Sequence, residues 1–172
     1  MRTTFFTLVF SFLFCLNGQS QNCLPNGITF TSQTEIDNFS INYPGCTVIE
    51  GGVRISGAGI SNLNGLSGVT AVRGILIEQN PALTSLTGLG NLTTVEQDIV
   101  IRDNSSLTSL SGLEGLISVP IVYIGNNNAL PNLAGLDNLA STTWAFTVEN
   151  NEALTSLAGL QNFSVATGGA GF

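Results

Sequence analysis

The stretch IVIRDNSSLTSLSGLEGL, residues 99–116, decides the fold because its pattern recurs along the chain. It opens with a β-branched run, continues to an asparagine at position 104, and then places a leucine at every third position. The leucine used here to mark the repeat has counterparts 23 or 24 residues apart: Ile60, Leu83, Leu107, Leu130 and Leu154. A fixed period of this length in five copies is typical of a solenoid, in which each repeat is one coil stacked on the last.

Leucines three residues apart could also indicate an amphipathic helix, and the residues between them reject that interpretation. Glycine stands five residues after every marker: Gly65, Gly88, Gly112, Gly135 and Gly159. Glycine or asparagine stands eight residues after it: Gly68, Asn91, Gly115, Asn138 and Asn162. These residue types tolerate a positive φ, whereas a helix would lose stability at each glycine. We therefore predict that the chain turns corners at these two positions.

A β-branched or aromatic run ahead of each marker predicts one short strand in each repeat. The runs are 75–77, 99–101, 121–124 and 146–148, and a first run at 53–55 is one residue out of phase. Alternation along a strand buries the two isoleucines that flank Leu76 and turns Leu76 outward. The outward residues predicted in this way are Leu76, Val100, Tyr123 and Thr147, flanked by Glu78, Arg102 and Glu149.

This outward row is a candidate binding face, because exposed apolar rows on solenoids serve recognition. Ordinary exposed β-surface, or a face that packs on another domain, would explain it equally well. We expect Glu78 and Arg102 to form a surface ion pair that contributes little to stability.

An asparagine follows each inward strand residue by three positions: Asn80, Asn104, Asn127 and Asn151. An amide side chain both donates and accepts hydrogen bonds, so we interpret these residues as a structural ladder bonded to neighbouring coils. A polar binding row is the alternative. Glycosylation sequons begin at Asn38, Asn91, Asn104 and Asn162. A ladder residue should not carry a glycan, and the sequon at Asn104 is therefore discounted.

The first 20 residues have the features of a signal peptide. Arg2 precedes an apolar stretch that is too short to span a bilayer, and small residues at Gly18 and Ser20 predict cleavage after Ser20. An uncleaved anchor is the alternative. The mature chain would then be secreted or lie at the cell surface, with no transmembrane segment. Its two remaining cysteines, Cys23 and Cys46, predict one disulfide.

We expect three parts: the signal peptide at 1–20, an N-terminal cap at 21–52 and the repeats at 53–172. In the cap, a short strand at 28–30 precedes a capping box from Ser32 to Glu35 that opens a helix burying Ile36 and Phe39. The disulfide would tie this helix to the first coil. The pattern fades after Phe163, so the C-terminal end is expected to be truncated or uncapped, which would permit end-to-end self-association.

Composition argues against several functions. The chain has 4 Lys and Arg against 11 Asp and Glu, which makes nucleic acid a poor partner. It has no histidine, which removes Ser-His-Asp triads and histidine-containing zinc sites, and two cysteines alone do not make a metal site. We therefore expect no catalysis, no cofactor and no metal.

Two alternatives stay open. A β-helical carbohydrate-active enzyme would need a close carboxylate pair, but Glu78 and Glu149 should lie roughly 14 Å apart. A structural or ice-binding surface could use the outward Thr84, Thr108 and Thr155, although Pro131 interrupts that row.

The repeat Ile-x-Ile-x-x-Asn-x-x-Leu-Thr-Ser-Leu-x-Gly-Leu-x-Asn-Leu, with Cys23 and Cys46 around a capping helix, resembles the receptor L-domain. That module forms the ligand-binding lobes of the insulin and epidermal growth factor receptors. The chain is also similar to leucine-rich-repeat-like proteins secreted by bacteria.

The resemblance covers residues 23 to about 163. It implies a mainly β fold: a right-handed parallel β-solenoid, or single-stranded β-helix, of about five coils of 23–24 residues with an N-terminal helical cap. It also implies a binding or adhesion role towards an unknown protein or glycan. Receptor signalling is not implied, because this sequence shows no furin-like cysteine-rich region and no kinase.

Overall fold

The computed structural model describes residues 21–164 and shows a mainly β chain with one sheet of eight strands. The predicted signal peptide lies outside the described residues. The strands are β1 (Gln21–Cys23), β2 (Ile28–Phe30), β3 (Cys46–Ile55), β4 (Ala71–Glu78), β5 (Thr94–Val95), β6 (Asp98–Arg102), β7 (Ile121–Gly125) and β8 (Ala145–Glu149). Two short helices, α1 (Gln33–Asp37) and α2 (Phe39–Asn42), precede β3, and 3₁₀ turns cover Asn64–Leu66 and Thr87–Leu89.

The sheet is built from one main strand per repeat, in the order β1-β3-β4-β6-β7-β8, with β2 beside β3 and β5 beside β4. Every pairing between these strands is parallel. One register line crosses five strands through Ile55, Ile77, Ile101, Ile124 and Val148. Ile55 is thus in line with its counterparts. The first repeat is one residue shorter than the others between its strand and its marker, and this difference lies in the turn that follows β3.

The core lies on the inward side of the strands and beneath the leucine-rich segments. The marker residues Ile60, Leu83, Leu107 and Leu130 are fully buried, as are the leucines three and six residues after them. The inward strand residues Ile75, Ile99 and Val122 are buried as the alternation predicts. The last described repeat differs, because Leu157 is 64% exposed where Leu86, Leu110 and Leu133 are fully buried.

The four predicted ladder asparagines lie side by side at the ends of successive strands, and the first three are fully buried. The Asn104 side chain shows the pattern: its Nδ2 donates to the carbonyls of Ile77 and Arg102, and its Oδ1 accepts from the backbone N–H of Asn80. Asn80, Asn127 and Asn151 each make the equivalent bonds to the repeat that precedes them. The amides therefore satisfy backbone groups that the turn would otherwise leave unpaired inside the protein.

The corners differ in detail from those expected. Positive φ occurs directly before each ladder asparagine, at Gln79, Asp103, Asn126 and Asn150, a turn that the glycine pattern does not mark. The glycines five residues after the marker have positive φ in the last three repeats only. A Cβ at Gly112 would overlap the carbonyl group of Leu86 in the preceding repeat. Glycine is therefore required at this position for two reasons, the close stacking of the repeats and the positive φ of the backbone.

The asparagines eight residues after the marker do not adopt positive φ, contrary to our expectation. They instead donate side-chain hydrogen bonds to the preceding repeat: Asn91 to Ser67, Asn138 to Glu114 and Asn162 to Asp137. These exposed bonds form a second line of contacts between repeats, on a different side from the buried ladder.

The N-terminal segment contains the predicted strand, capping box and disulfide. Ser32 and Glu35 bond reciprocally at the start of α1, and Ile36 and Phe39 are buried, although they lie on two short helices rather than one. Cys23 and Cys46 form the disulfide, with Cα atoms 5.7 Å apart. It joins β1 to β3 and closes the loop that contains both helices, whereas we expected it to tie the helix itself to the first coil. Strand β3 runs without a break through residue 52, the expected boundary of the cap.

No helix within residues 21–164 is long and apolar enough to cross a membrane.

Candidate functional site

The outward side of the sheet carries three rows of side chains in register. The middle row reads Arg54, Leu76, Val100, Tyr123 and Thr147 from β3 to β8, so the four predicted residues are neighbours and Arg54 extends their row. The second row contains Glu78, Arg102, Gly125 and Glu149. The third row contains Gly52, Gly74, Asp98, Ile121 and Ala145, with the side chain of Asp98 lying over Gly74. We call these three rows the outward face.

Glu78 does not form the weakly held surface ion pair that we expected. Its side chain is only 3% exposed, because Arg54 and Arg102 cover it from the strands on either side. Nε and Nη2 of Arg54 contact Oε1 at 2.9 and 2.7 Å, and Nη2 of Arg102 contacts Oε2. The two arginine side chains stay about half exposed, at 51% and 44%. A buried carboxylate thus holds two guanidinium groups at the surface.

In the other half of the face, Tyr123 contacts Gly125 on its own strand and Glu149 on the next strand. Its ring lies over Gly125, where a Cβ would collide with it, and its hydroxyl donates to Oε1 of Glu149 at 2.7 Å. This hydrogen bond, followed by desolvation and the negative charge of Glu149, raises the pKa of Tyr123 above its ordinary value. The hydrogen bond from Tyr123 to Glu149 bridges two strands of the face.

The charges of the face are unevenly distributed. Arg54, Glu78 and Arg102 together carry one positive charge, Asp98 carries one negative charge in the third row on β6, and Glu149 carries another two strands beyond Arg102. Half-buried Leu76, Val100 and Thr147 lie among them in the middle row. The face therefore offers an apolar strip with opposite charges at its two ends.

A polar groove lies beside the face at the turns that follow the strands. It has a volume of about 550 Å³ and is lined by Asp103, Ser105, Asn126, Asn128, Asn150 and Glu152. The amide of Asn126 donates to Asp103 within it. Among residues 21–164 no three Asp, Glu, His or Cys side chains come close enough together to hold a metal ion.

The threonines considered for an ice-binding surface lie in an exposed row elsewhere. Thr84, Thr108 and Thr155 are exposed, and Pro131 occupies the same row, where its carbonyl accepts from the N–H of Thr155. The hydroxyl of Thr108 is itself bonded to the carbonyl of Thr84.

Sequence reasoning missed Arg54, Asp98 and Ile121 as members of the outward face. One signal, the alternation of side chains along a strand, could have identified them. Asp98 and Ile121 each lie two residues before a residue already assigned outward, and Arg54 lies between two inward residues of the first strand. The burial of Glu78 had no such signal, because it depends on the directions that two arginine side chains take.

Comparison with protein-family models finds one match, the receptor L domain, over residues 45–132, which is just over half of the chain. The chain belongs to the receptor L domain family. The match to the receptor L domain runs from the strand β3 to the end of the turn after β7, so it includes four of the five strands that carry the outward face. Receptor L domains are ligand-binding modules rather than catalytic ones, and this class agrees with a disulfide-bonded, extracellular or cell-surface chain. Searches for similar curated proteins and for similar solved structures found no match.

Proposed function

We propose that this receptor L domain chain is a secreted or cell-surface binding module that recognises a protein ligand through its outward face, without catalysis. The observation that carries the proposal is the unbroken register of Arg54, Leu76, Val100, Tyr123 and Thr147 across five strands. Flat parallel faces of this kind present side chains at fixed spacings, which reduces the entropy lost when a ligand binds. A glycan ligand is the alternative, and the experiment below separates the two.

The architecture that supports this role is, in our proposal, a right-handed β-solenoid. Each repeat contributes one strand, and the parallel connection between consecutive strands favours the right hand. Residues 21–52, with the two helices and the disulfide, would form its N-terminal cap: Gln33 bonds to Ser61 and Asn62 of the first repeat, and Ile36 is buried against it. The predicted signal peptide would deliver the chain outside the cell, where the disulfide is stable.

The test applies the purified chain to one array of extracellular proteins and one of glycans. The Val100→Asp variant introduces a charge in the middle row, and the Thr84→Asp variant introduces the same charge in the exposed threonine row as a matched control. We expect protein hits that Val100→Asp abolishes and Thr84→Asp retains. Hits confined to glycans, hits that survive Val100→Asp, or no hits on either array would contradict the proposal.

A second candidate function, association of two copies, is favoured by the exposure of Leu157. Within the described residues β8 has a neighbour on one side only, and Phe146 and Val148 of the same repeat are only partly buried. Two β8 strands that meet antiparallel at Thr147 would place Phe146 of each copy opposite Val148 of the other. The shared sheet would then continue across the two copies.

Sedimentation velocity over a range of concentrations tests this association. We expect a dimer that the Leu157→Asp variant dissociates, while Ile41→Asp, which changes an isoleucine that is 73% exposed near the other end, leaves it intact. A chain that stays monomeric at every concentration, or a dimer that Ile41→Asp weakens equally, would rule the association out.

A further inference from the structure

The arginines of the described chain are few, and two of the three lie together. Residues 21–164 contain Arg54, Arg73 and Arg102, in a protein whose formal net charge is −7. Arg54 and Arg102 converge on the outward face at Glu78, whereas Arg73 is exposed on β4 and makes no ion pair with a described residue. Two of the three arginines in this part of the acidic chain therefore lie together on the candidate binding face, where Glu78 and Asp103 are their acidic neighbours.

The shared carboxylate does not use up the hydrogen-bonding capacity of the two arginines. A guanidinium group has five N–H donors. Glu78 engages two nitrogens of Arg54 and one of Arg102, and the other acidic neighbour is Asp103, whose Oδ2 lies 3.8 Å from Nη1 of Arg102. Both side chains are about half exposed, so donors remain open to solvent.

The buried Glu78 also fixes where these donors are. Long arginine side chains normally lose rotamer freedom when they bind a ligand, and a guanidinium already held in an ion pair has lost part of it beforehand. Leu76 lies in register between Arg54 and Val100, and Val100 is on the strand of Arg102, so an apolar surface adjoins the donors. The combination suits a carboxylate that sits next to an apolar side chain.

We infer that the ligand of the outward face is a protein segment that places an aspartate or glutamate carboxylate on Arg54 and Arg102 and an adjacent apolar side chain on Val100. The inference rests on the proposed function of this face and specifies the chemistry of its partner. Two carboxylates set the polarity: Asp98 in the third row, and Glu149 two strands, about 10 Å, beyond Arg102, both disfavour a second acidic group near them. The ligand segment thus crosses the strands with its acidic residue towards β3.

Because the chain has few arginines, the signal of each arginine side chain can be followed separately by NMR. In the full chain labelled with ¹⁵N-arginine, the side-chain Nε–H signals of Arg54, Arg73 and Arg102 are followed during titration with the peptide acetyl-Leu-Asp-Leu-amide. The matched neutral peptide carries asparagine for aspartate, and an oligomer of glucuronic acid supplies carboxylates on a sugar. We expect saturable shifts at Arg54 and Arg102, none at Arg73, and no binding of the neutral peptide.

Variants separate this inference from simple charge attraction. Replacing both Arg54 and Arg102 by glutamine should weaken the binding of the acidic peptide by about tenfold or more, because each replacement removes charge-assisted hydrogen bonds. Arg73→Gln should leave the affinity for this peptide unchanged. The inference would be overturned by equal signal shifts at all three arginines or by no shift at all. It would also be overturned by an equal loss of peptide affinity in Arg73→Gln, or by tighter binding of the glucuronic acid oligomer. Protein hits that Val100→Asp abolishes but the double glutamine variant retains would refute this inference and leave the proposed function standing.

Discussion

Glu78 and Arg102 lie directly opposite each other in the register of β4 and β6, and the arginine covers a glutamate that is almost completely buried. Arg54 covers the same carboxylate from β3, so a single acidic side chain links three consecutive strands. Among residues 21–164, charge–charge contacts between repeats are otherwise scarce, in a sequence of which only 9% of the residues are charged. The Glu78 network is thus both part of the outward face and a contact that holds repeats together.

The Glu78→Gln variant should lower the free energy of unfolding by about 1–3 kcal/mol, because the charge that pairs two guanidinium groups is lost in a buried position. Urea unfolding of the purified chain measures the change. The control is Glu96→Gln, which neutralises an exposed carboxylate without a described hydrogen bond and should change stability by no more than about 0.5 kcal/mol. Equal effects of the two variants would show that the network does not stabilise the fold.

The Asn104→Ala variant should cost about 2–4 kcal/mol, since it leaves the carbonyls of Ile77 and Arg102 and the N–H of Asn80 without their partner. Asn138→Ala provides the comparison, because that exposed asparagine donates a single bond to Glu114, and we expect a loss below about 1 kcal/mol. Thermal and urea unfolding monitored by circular dichroism measure both. A similar loss in the two variants would contradict a structural role specific to the buried ladder.

The Thr142→Val variant should raise stability by about 1 kcal/mol. Thr142 lies beside Val119 and continues the buried line of Val72 and Val95, yet its hydroxyl has no hydrogen-bond partner among the described residues. Valine has nearly the same shape and removes a buried polar group. Thr143→Val, at the exposed neighbouring position, should change stability by no more than about 0.5 kcal/mol. Destabilisation by Thr142→Val would indicate a hydrogen bond that the described residues do not show.

Glu149→Gln should lower the pKa of Tyr123 towards its ordinary value. The tyrosine donates to the Glu149 carboxylate, so ionising the phenol loses that bond and brings two negative charges together. In a Tyr43→Phe background, Tyr123 is the remaining tyrosine, and ultraviolet absorbance of tyrosinate follows its titration alone. An unchanged titration curve in Glu149→Gln would mean that the two side chains do not meet on the face.

The capping box predicts a pH dependence of stability. The backbone N–H of Thr31, its hydroxyl and the N–H of Ser32 all donate to Glu35, and they hold its pKa below the ordinary value. Because the folded-state pKa is the lower one, this stabilisation is complete above the unfolded-state pKa of about 4.3 and is lost as the pH falls through the folded-state pKa.

The melting temperatures of the wild-type chain and Glu35→Gln should therefore differ near neutral pH and converge as the pH falls below the folded-state pKa of Glu35. Glu152→Gln, which removes an exposed carboxylate that makes no described hydrogen bond, controls for the general effect of net charge. A difference that stays constant with pH would exclude the contribution of Glu35.

The sequence by itself determined the parallel strands, their register and the buried leucines. The reason is that the same local pattern occurs in five copies, and side-chain alternation along each strand then fixes which residues face inward. It also led to the disulfide, the capping box and the asparagine positions, each of which depends on a few neighbouring residues or on a two-cysteine count.

Only the tertiary structure decided the turn at Gln79, Asp103, Asn126 and Asn150, the steric need for glycine at position 112, and the burial of Glu78. These features arise between repeats, from the distance at which one backbone stacks on the next and from the paths of long side chains across neighbouring strands. A pattern along the chain does not contain those distances. The outward row was therefore visible in the sequence, but its arrangement, with two arginines on a buried carboxylate at one end and a tyrosine bonded to a glutamate at the other, was not.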